Sequence, residues 1–291
     1  VFRGRLLTQD TDLYSFNTWD DVPWDEEREK QTESAIEQQL VLASKESKKT
    51  QVIDEASTRW DAFYRHHSRW FFKDRQWLPS EFPELFDHDK VKVIWEVGAG
   101  AGNTLFPLLR HHIDAGNHDV QIHACDVSSE ACKLIKDFRE YRKDNVNVFQ
   151  WDANQLNYPE SIIPGTVDVI TCIFVLSAID PDRLPDLFRI FKRALKPTGH
   201  ILIRDYGWGD LAQTRLKPER VVCPDGSLYT RGDGTAVHFF KQIEFDMILD
   251  QVRGFKITQN YCDRRLIVNR KRKLEMWRCW VQVKMERVDD E

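Results

Sequence analysis

Hydrophobic positions along this chain follow two alternating rhythms. Short, nearly unbroken apolar runs occur at residues 91–97, 120–125, 146–151, 167–176 and 200–204. Runs rich in β-branched and aromatic residues predict strands buried on both faces. Between them, residues 103–109, 129–142 and 185–195 read as helices, the last stopped by Lys196-Pro197-Thr198-Gly199. Strands alternating with helices predict a doubly wound, mostly parallel α/β sheet. Residues 245–252 add a helix, and then the rhythm changes. Trp277, Cys279, Val281 and Val283 alternate with Arg278, Trp280, Gln282 and Lys284, which predicts a late antiparallel strand over 276–284.

The first 85 residues lack the strand–helix rhythm. Residues 1–30 have no period, and Pro23 argues against helix; Trp19 and Trp24 would tie down an ordered arm, with a flexible tail as the alternative. Residues 26–50 carry a thin apolar stripe through Ile36 and Leu40, which predicts a solvated helix. Residues 57–75 are aromatic and basic. Trp60, Tyr64, His67 and Phe71 share one helical face, with Phe63 and Trp70 beside it. Such a stripe suits core packing, but Arg59, Arg65, Arg69, Lys73 and Arg75 interleave with it. Aromatics among cations also suit stacked bases and phosphates.

Candidate chemistry concentrates at the carboxyl ends of the predicted strands. Glu96 is followed by Gly98, Gly100 and Gly102 at every second position. Glycines there let the backbone turn tightly and approach a ligand. The dinucleotide fingerprint has the spacing G-x-G-x-x-G. G-x-G-x-G with a preceding acid instead resembles motif I of the S-adenosylmethionine-dependent methyltransferases. Asp126 ends the second strand, placed to accept both hydroxyls of a ribose, and Asp152 ends the third. Residues 207–238 interrupt the pattern with Gly, Asp, Arg and Pro, as a substrate-contacting insertion would. Residues 253–273 hold Arg253, Lys256, Arg264, Arg265, Arg270, Lys271, Arg272 and Lys273 against the single acid Asp263. That run is either a solvated surface or a phosphate-binding patch.

Composition narrows these readings. The 291 residues are 41% hydrophobic, enough for one large α/β domain with insertions. The net charge of −5 gives no bulk attraction to nucleic acid, so any such site is a local patch. Six scattered cysteines without C-x-x-C predict free thiols in an intracellular, cytoplasmic protein. The histidines lack ligand spacing, so no metal is expected. No apolar run is long enough to span a bilayer, and no signal-peptide pattern is visible.

Several strings together carry a resemblance to one family. They include Trp60-Asp-Ala-Phe-Tyr64, Phe71-Phe-Lys-Asp-Arg75, Glu81-Phe-Pro-Glu-Leu85, Arg204-Asp-Tyr-Gly207, Arg231-Gly-Asp-Gly-Thr235 and Asp263-Arg-Arg-Leu-Ile-Val-Asn-Arg270. The chain resembles the tRNA 3-methylcytidine methyltransferases that act on position 32 of the anticodon loop. The last two strings are most similar to the threonine-tRNA branch. Ala99 departs from the small residues, often Cys, that relatives carry between the glycines.

The resemblance implies a class I, Rossmann-like methyltransferase fold with a seven-stranded sheet, mostly parallel with an antiparallel last strand. Residues 1–85 would be an N-terminal extension covering cofactor and tRNA, and residues 86–291 the methyltransferase domain. S-adenosylmethionine would be the methyl donor and S-adenosylhomocysteine the product. Its implied contacts are Trp60, Tyr64, Glu96, Gly98, Gly100, Asp126, Asp152, Ala153 and Ile173. The anticodon stem-loop would meet Arg69, Lys73, Arg75, Arg231, Arg264, Arg265, Arg270, Lys271, Arg272 and Lys273. A monomer is expected, with an aminoacyl-tRNA synthetase or other helper as candidate partner.

Cytosine N3 carries an in-plane lone pair and no proton, so it attacks a sulfonium methyl without a general base. The product ring is cationic, so the site needs in-line placement and a carboxylate or carbonyls nearby. Asp205 is the expected carboxylate facing the base, with Arg204 and Tyr206 positioning it. A strand-four end reading Ile173-Phe174-Val175-Leu176 offers no side-chain acceptors for an exocyclic amine. A methyltransferase of proteins or small molecules, and a noncatalytic RNA-binding scaffold, are the alternatives. The basic run disfavours the first, and the intact Glu96, Gly98, Asp126 and Asp152 disfavour the second.

Overall fold

The computed structural model describes residues 4–8 and 10–289. Residues 1–3, 9, 290 and 291, which the expected extension and domain include, lie outside the described residues. In chain order the strands are β1 (Thr18–Trp19), β2 (Val93–Val97), β3 (Gln121–Asp126), β4 (Val146–Gln150), β5 (Val167–Ile173), β6 (Leu195–Tyr206), β7 (Tyr229–Thr230), β8 (Ala236–Val237), β9 (Phe255–Asn269) and β10 (Leu274–Arg287). The helices are α1 (Glu26–Leu42), α2 (Lys49–Asp54), α3 (Ala56–His67), α4 (Leu78–Glu81), α5 (Leu105–Asp114), α6 (Ser129–Lys136), α7 (Leu184–Ala194), α8 (Leu211–Thr214) and α9 (Ile243–Gln251).

The main sheet has eight strands in the order β1-β9-β10-β6-β5-β2-β3-β4. From β4 to β6 the neighbours are parallel, and β10 runs antiparallel to both β6 and β9. The expected seven strands are present, joined at the edge by the two-residue β1. Successive side chains of a strand point to opposite faces. Trp95 of β2 therefore packs with Phe188 and Phe191 of α7, while Ile94 packs with Phe106 and Leu109 of α5. No helix among the described residues is long and apolar enough to cross a membrane.

The amino-terminal residues form an ordered arm rather than a flexible tail. Trp19 is buried and its indole donates to the Leu13 carbonyl at 2.8 Å. β1 pairs with β9, and Val22 N–H donates to the Arg264 carbonyl. Further along, α3 docks over the carboxyl edge of the parallel strands. Its Asp61 accepts hydrogen bonds from the Ser128 hydroxyl at 2.6 Å and the Glu130 N–H at 3.2 Å, at the start of α6.

Three elements differ from the expected ones. The aromatic helix ends at His67, because Ser68 adopts φ 48° and turns the chain. Phe71 therefore lies beyond the helix and is half exposed, though its ring still meets His67 at 4.6 Å and Phe63 at 5.0 Å. The helix expected over 129–142 stops at Lys136; beyond it the chain turns, and the Tyr141 hydroxyl donates to the Val146 carbonyl. Most of the basic run, for which the sequence predicted no element, is a strand: β9 spans residues 255–269 and pairs with β10 along its length.

Candidate active site

The site is built on the turn after β2. Gly98 and Gly100 have φ of 66° and 55°, which a side chain would strain. They also leave no room for one. A Cβ on Gly98 would lie 2.3 Å from a Val175 methyl, and one on Gly100 would lie 2.5 Å from the Tyr64 hydroxyl. The aromatic helix thus sits directly on the glycine turn.

Asp126, at the end of β3, faces this turn. Its carboxylate accepts the Gly100 N–H at 2.8 Å and the Ser128 N–H at 2.9 Å. Burial nevertheless outweighs these donors and pushes its pKa up to about 6. Glu96 is buried as well. Burial raises its pKa to about 8, Asp126 adds to the shift, and Thr104 and Arg75 oppose it. Its Oε2 has no hydrogen-bond partner. A buried carboxylate oxygen left unpaired is costly, so an orphan of this kind marks a place for a ligand donor.

Two adjoining cavities run along the carboxyl edge of the sheet. The first, about 590 Å³, lies between Trp60, Gly98, Asp126, Asp152 and Ala153. The second, about 890 Å³, shares Trp60, Tyr64, Gly98 and Phe174 with it and continues past Glu96, Gly100 and Ile173 to Tyr206 and Arg231. Every residue named from the sequence as a cofactor contact therefore lines one cleft. The donor set fits an adenosyl amino acid. Asp126 can take a diol, the Glu96 orphan oxygen an ammonium, and the aromatic wall a flat ring.

The expected catalytic trio is not brought together. In β6, side chains alternate, so Arg204 and Tyr206 share one face and Asp205 the other. Asp205 is fully buried, outside the lining of both cavities. Its oxygens accept the Ser177 N–H at 3.0 Å and the Tyr206 N–H at 2.8 Å. Burial raises its pKa, and those donors oppose the shift. Arg204 lies between the rings of Trp77 and Trp280 and is tied to Asp263 and Gln282. Tyr206 alone of the three reaches the cleft, where its ring lies 5.3 Å from Phe174.

The expected phosphate contacts also separate. Arg69 rests on the Phe138 ring at 3.1 Å. Lys73, Arg75 and Arg265 border an outer groove of about 1020 Å³, and Arg75 also lines the inner cavity. Arg231 lies over Trp60 at 5.2 Å, and its Nε donates to the Thr235 hydroxyl. Arg264 stacks on Trp24, and Arg265 is ion-paired with Asp263 and Asp20. Arg270, Lys271, Arg272 and Lys273 sit exposed in the turn between β9 and β10.

Phe174 and Trp280 line the cleft without having been singled out from the sequence. Phe174 follows β5 with φ 58°, a conformation no sequence pattern announces. Trp280 did carry a signal, being an aromatic on the otherwise polar face of the alternating last strand.

Comparison with known proteins decides the family. A family model for a methyltransferase domain matches residues 95–201. A tRNA N(3)-methylcytidine methyltransferase of Schizosaccharomyces pombe is 38% identical over 98% of this chain and 92% of its own length. The chain belongs to the tRNA N(3)-methylcytidine methyltransferase family. Another relative is the tRNA(Thr) (cytosine(32)-N(3))-methyltransferase of Saccharomyces cerevisiae, 38% identical over 97% of this chain. The chain spans 45% of that relative, less than half its length. Among solved structures, an S-adenosylmethionine-dependent methyltransferase from Anabaena variabilis superposes with a TM-score of 0.52 at 13% identity, over 79% of this chain and 94% of its own. A Burkholderia thailandensis methyltransferase with bound S-adenosylhomocysteine gives 0.50 at 17% identity, over 80% and 88%. These likenesses show the class I methyltransferase fold, and S-adenosylmethionine is the cofactor of this family member.

Proposed function

We propose that this methyltransferase forms 3-methylcytidine at position 32 of the anticodon loop of threonine tRNA. One observation carries the reading. The cofactor cavity adjoins a second cavity, with four lining residues in common, whose walls include the aromatic rings of Phe174, Tyr206 and Trp280. A flat base swung out of its stack fits such walls.

S-adenosylmethionine, when bound, supplies an electrophilic methyl group. The chain's own task is placement. Trp60 and Tyr64 close the cofactor side of the cleft, Asp126 holds the ribose hydroxyls, and Asp152 with Ala153 borders the adenine. Tyr206 and Phe174 would hold the base beside the methyl group. Asp205 acts as a positioning residue, fixing the backbone of Tyr206 and Ser177 from below. N3 needs no base to deprotonate it, so a buried Asp205 is compatible with the chemistry.

The RNA reaches the cleft along the outer groove, where Arg5, Lys73 and Arg265 lie beside Asp20 and Asp74. The exposed turn 270–273 extends that surface. A monomer acting in the cytoplasm, with an aminoacyl-tRNA synthetase or similar helper, completes the reading. Its support is the set of free cysteines and the self-contained cleft.

The test is to incubate the purified chain with S-adenosylmethionine and a threonine tRNA transcript, then map modified positions by reverse transcription. Methylation of N3 blocks base pairing, so a stop at cytosine 32 is expected. Methylation only at other positions, or no transfer to RNA, would overturn the reading.

A further inference from the structure

Arg75 has no carboxylate partner among the described residues. Its position is fixed by its own backbone. The Arg75 N–H donates to the Asn103 carbonyl at 2.9 Å, and the Asn103 side chain donates back to the Phe72 carbonyl at 3.1 Å. The guanidinium lies over the rings of Phe174 and Phe72, at 5.3 and 5.6 Å. Its Nε is buried with no hydrogen-bond partner. The adjacent Asp74 cannot serve, because it is paired with Arg110 at 2.9 Å.

Nearby arginines are treated differently. Arg204 and Arg265 share Asp263, and Arg278 pairs with Asp210 at 2.8 Å. Among the described residues no carboxylate lies within ion-pair distance of Arg75. Burial lowers its pKa, the mark of a cation held out of water. A guanidinium so placed is expensive unless a ligand anion completes it.

The same cavity holds the opposite orphan, the unpartnered Oε2 of Glu96. One unpaired guanidinium and one unpaired carboxyl oxygen in a single cavity match an α-amino acid, whose carboxylate and ammonium sit on one carbon; the ammonium would favour ionised Glu96. We propose that Arg75 binds the α-carboxylate at the amino-acid end of the cofactor, while Glu96 receives its α-ammonium. Arg75 is then the residue that distinguishes the cofactor from its decarboxylated analogue. It is not a phosphate contact, although the sequence places it among the basic residues. The assignment rests on the cofactor alone and is independent of which RNA is methylated.

Calorimetry without RNA tests it. Wild type, Arg75→Gln and Arg75→Lys are titrated with S-adenosylhomocysteine and with its decarboxylated counterpart, S-adenosyl-3-thiopropylamine. Wild type should prefer the carboxylate-bearing ligand by about ten- to a hundredfold, the value of a charge-assisted hydrogen bond. Arg75→Gln should bind the decarboxylated ligand within about threefold of wild type and lose the preference, and Arg75→Lys should keep part of it. Retained binding of the decarboxylated ligand also shows that the cleft is folded. A wild-type preference in Arg75→Gln would overturn the proposal, as would equal losses for both ligands. Weakened tRNA binding with the preference intact would move Arg75 to the RNA surface. If wild type bound neither ligand, the cofactor assignment itself would fail, a result distinct from these.

Discussion

Two buried charge clusters lie a short way apart in this protein and behave in opposite ways. In the hairpin of β9 and β10, Asp263 is 1% exposed and carries Arg204 and Arg265; Arg265 reaches on to Asp20 at 3.4 Å and Glu81 at 3.7 Å. Burial pushes the Asp263 pKa up, but the guanidinium groups outweigh it and hold the group below its ordinary value. In the cleft, Glu96 and Asp126 are about as buried, and burial wins: their pKa values rise to about 8 and about 6. Charges completed by the chain itself hold the fold together. Where no counter-charge is supplied, burial favours the protonated carboxyl.

The comparison is broken most severely at Asp263. Asp263→Asn keeps the shape but leaves the buried Arg204 guanidinium without its carboxylate and removes one of the three that Arg265 meets. It should cost about 3–5 kcal/mol of stability, seen as a large drop in urea midpoint. A midpoint close to wild type would show that the network does not hold the hairpin. Asp126→Ala should weigh the other way, weakening cofactor binding about ten- to a hundredfold, with a smaller stability loss of about 1–3 kcal/mol from the unpaired Gly100 and Ser128 N–H groups. Calorimetry checks the first half and thermal melting the second; intact cofactor affinity would remove Asp126 from the ribose site.

Neutralising residues 270–273 should touch neither cluster. Loss of these exposed charges should flatten the salt dependence of tRNA binding by about 3 in log–log slope. Cofactor affinity should stay the same. A wild-type slope would take this turn off the RNA surface.

The smallest effect sharpens the contrast through pH. The raised pKa of Glu96 means that the folded protein holds a proton the unfolded chain releases. Its contribution to stability is therefore full below the ordinary carboxylate range and is lost as pH rises toward about 8. Asp263 has the opposite sign, contributing above that range and failing in acid. Cofactor-free Glu96→Gln should melt about 2–4 °C above wild type at pH 8.5, with the gap closing near pH 5. A gap independent of pH would mean that Glu96 is not the group titrating.

The parts legible in the sequence are those whose causes are local. A glycine turn after a β-branched run is written in consecutive residues, so the cleft could be placed from Glu96 to Gly102 and from the acids ending later strands. The end of the aromatic helix was hidden, because nothing in Ser68 itself announces a left-handed backbone. β9 was hidden too. Its sequence carries cations that look solvated, yet Arg265 meets acids contributed by the arm and by α4.

The sequence by itself determined the layered fold, the glycine turn and the residue types that line the cleft, because periodicity and backbone freedom act over a few neighbouring residues. Only the tertiary structure decided which charges are spent inside the protein and which remain to bind. Arg204 and Asp263 lie 59 positions apart, and their contact arises only when β6, β10 and β9 lie side by side. Electrostatic pairing depends on distance through space, and the order of residues along the chain does not encode that distance directly.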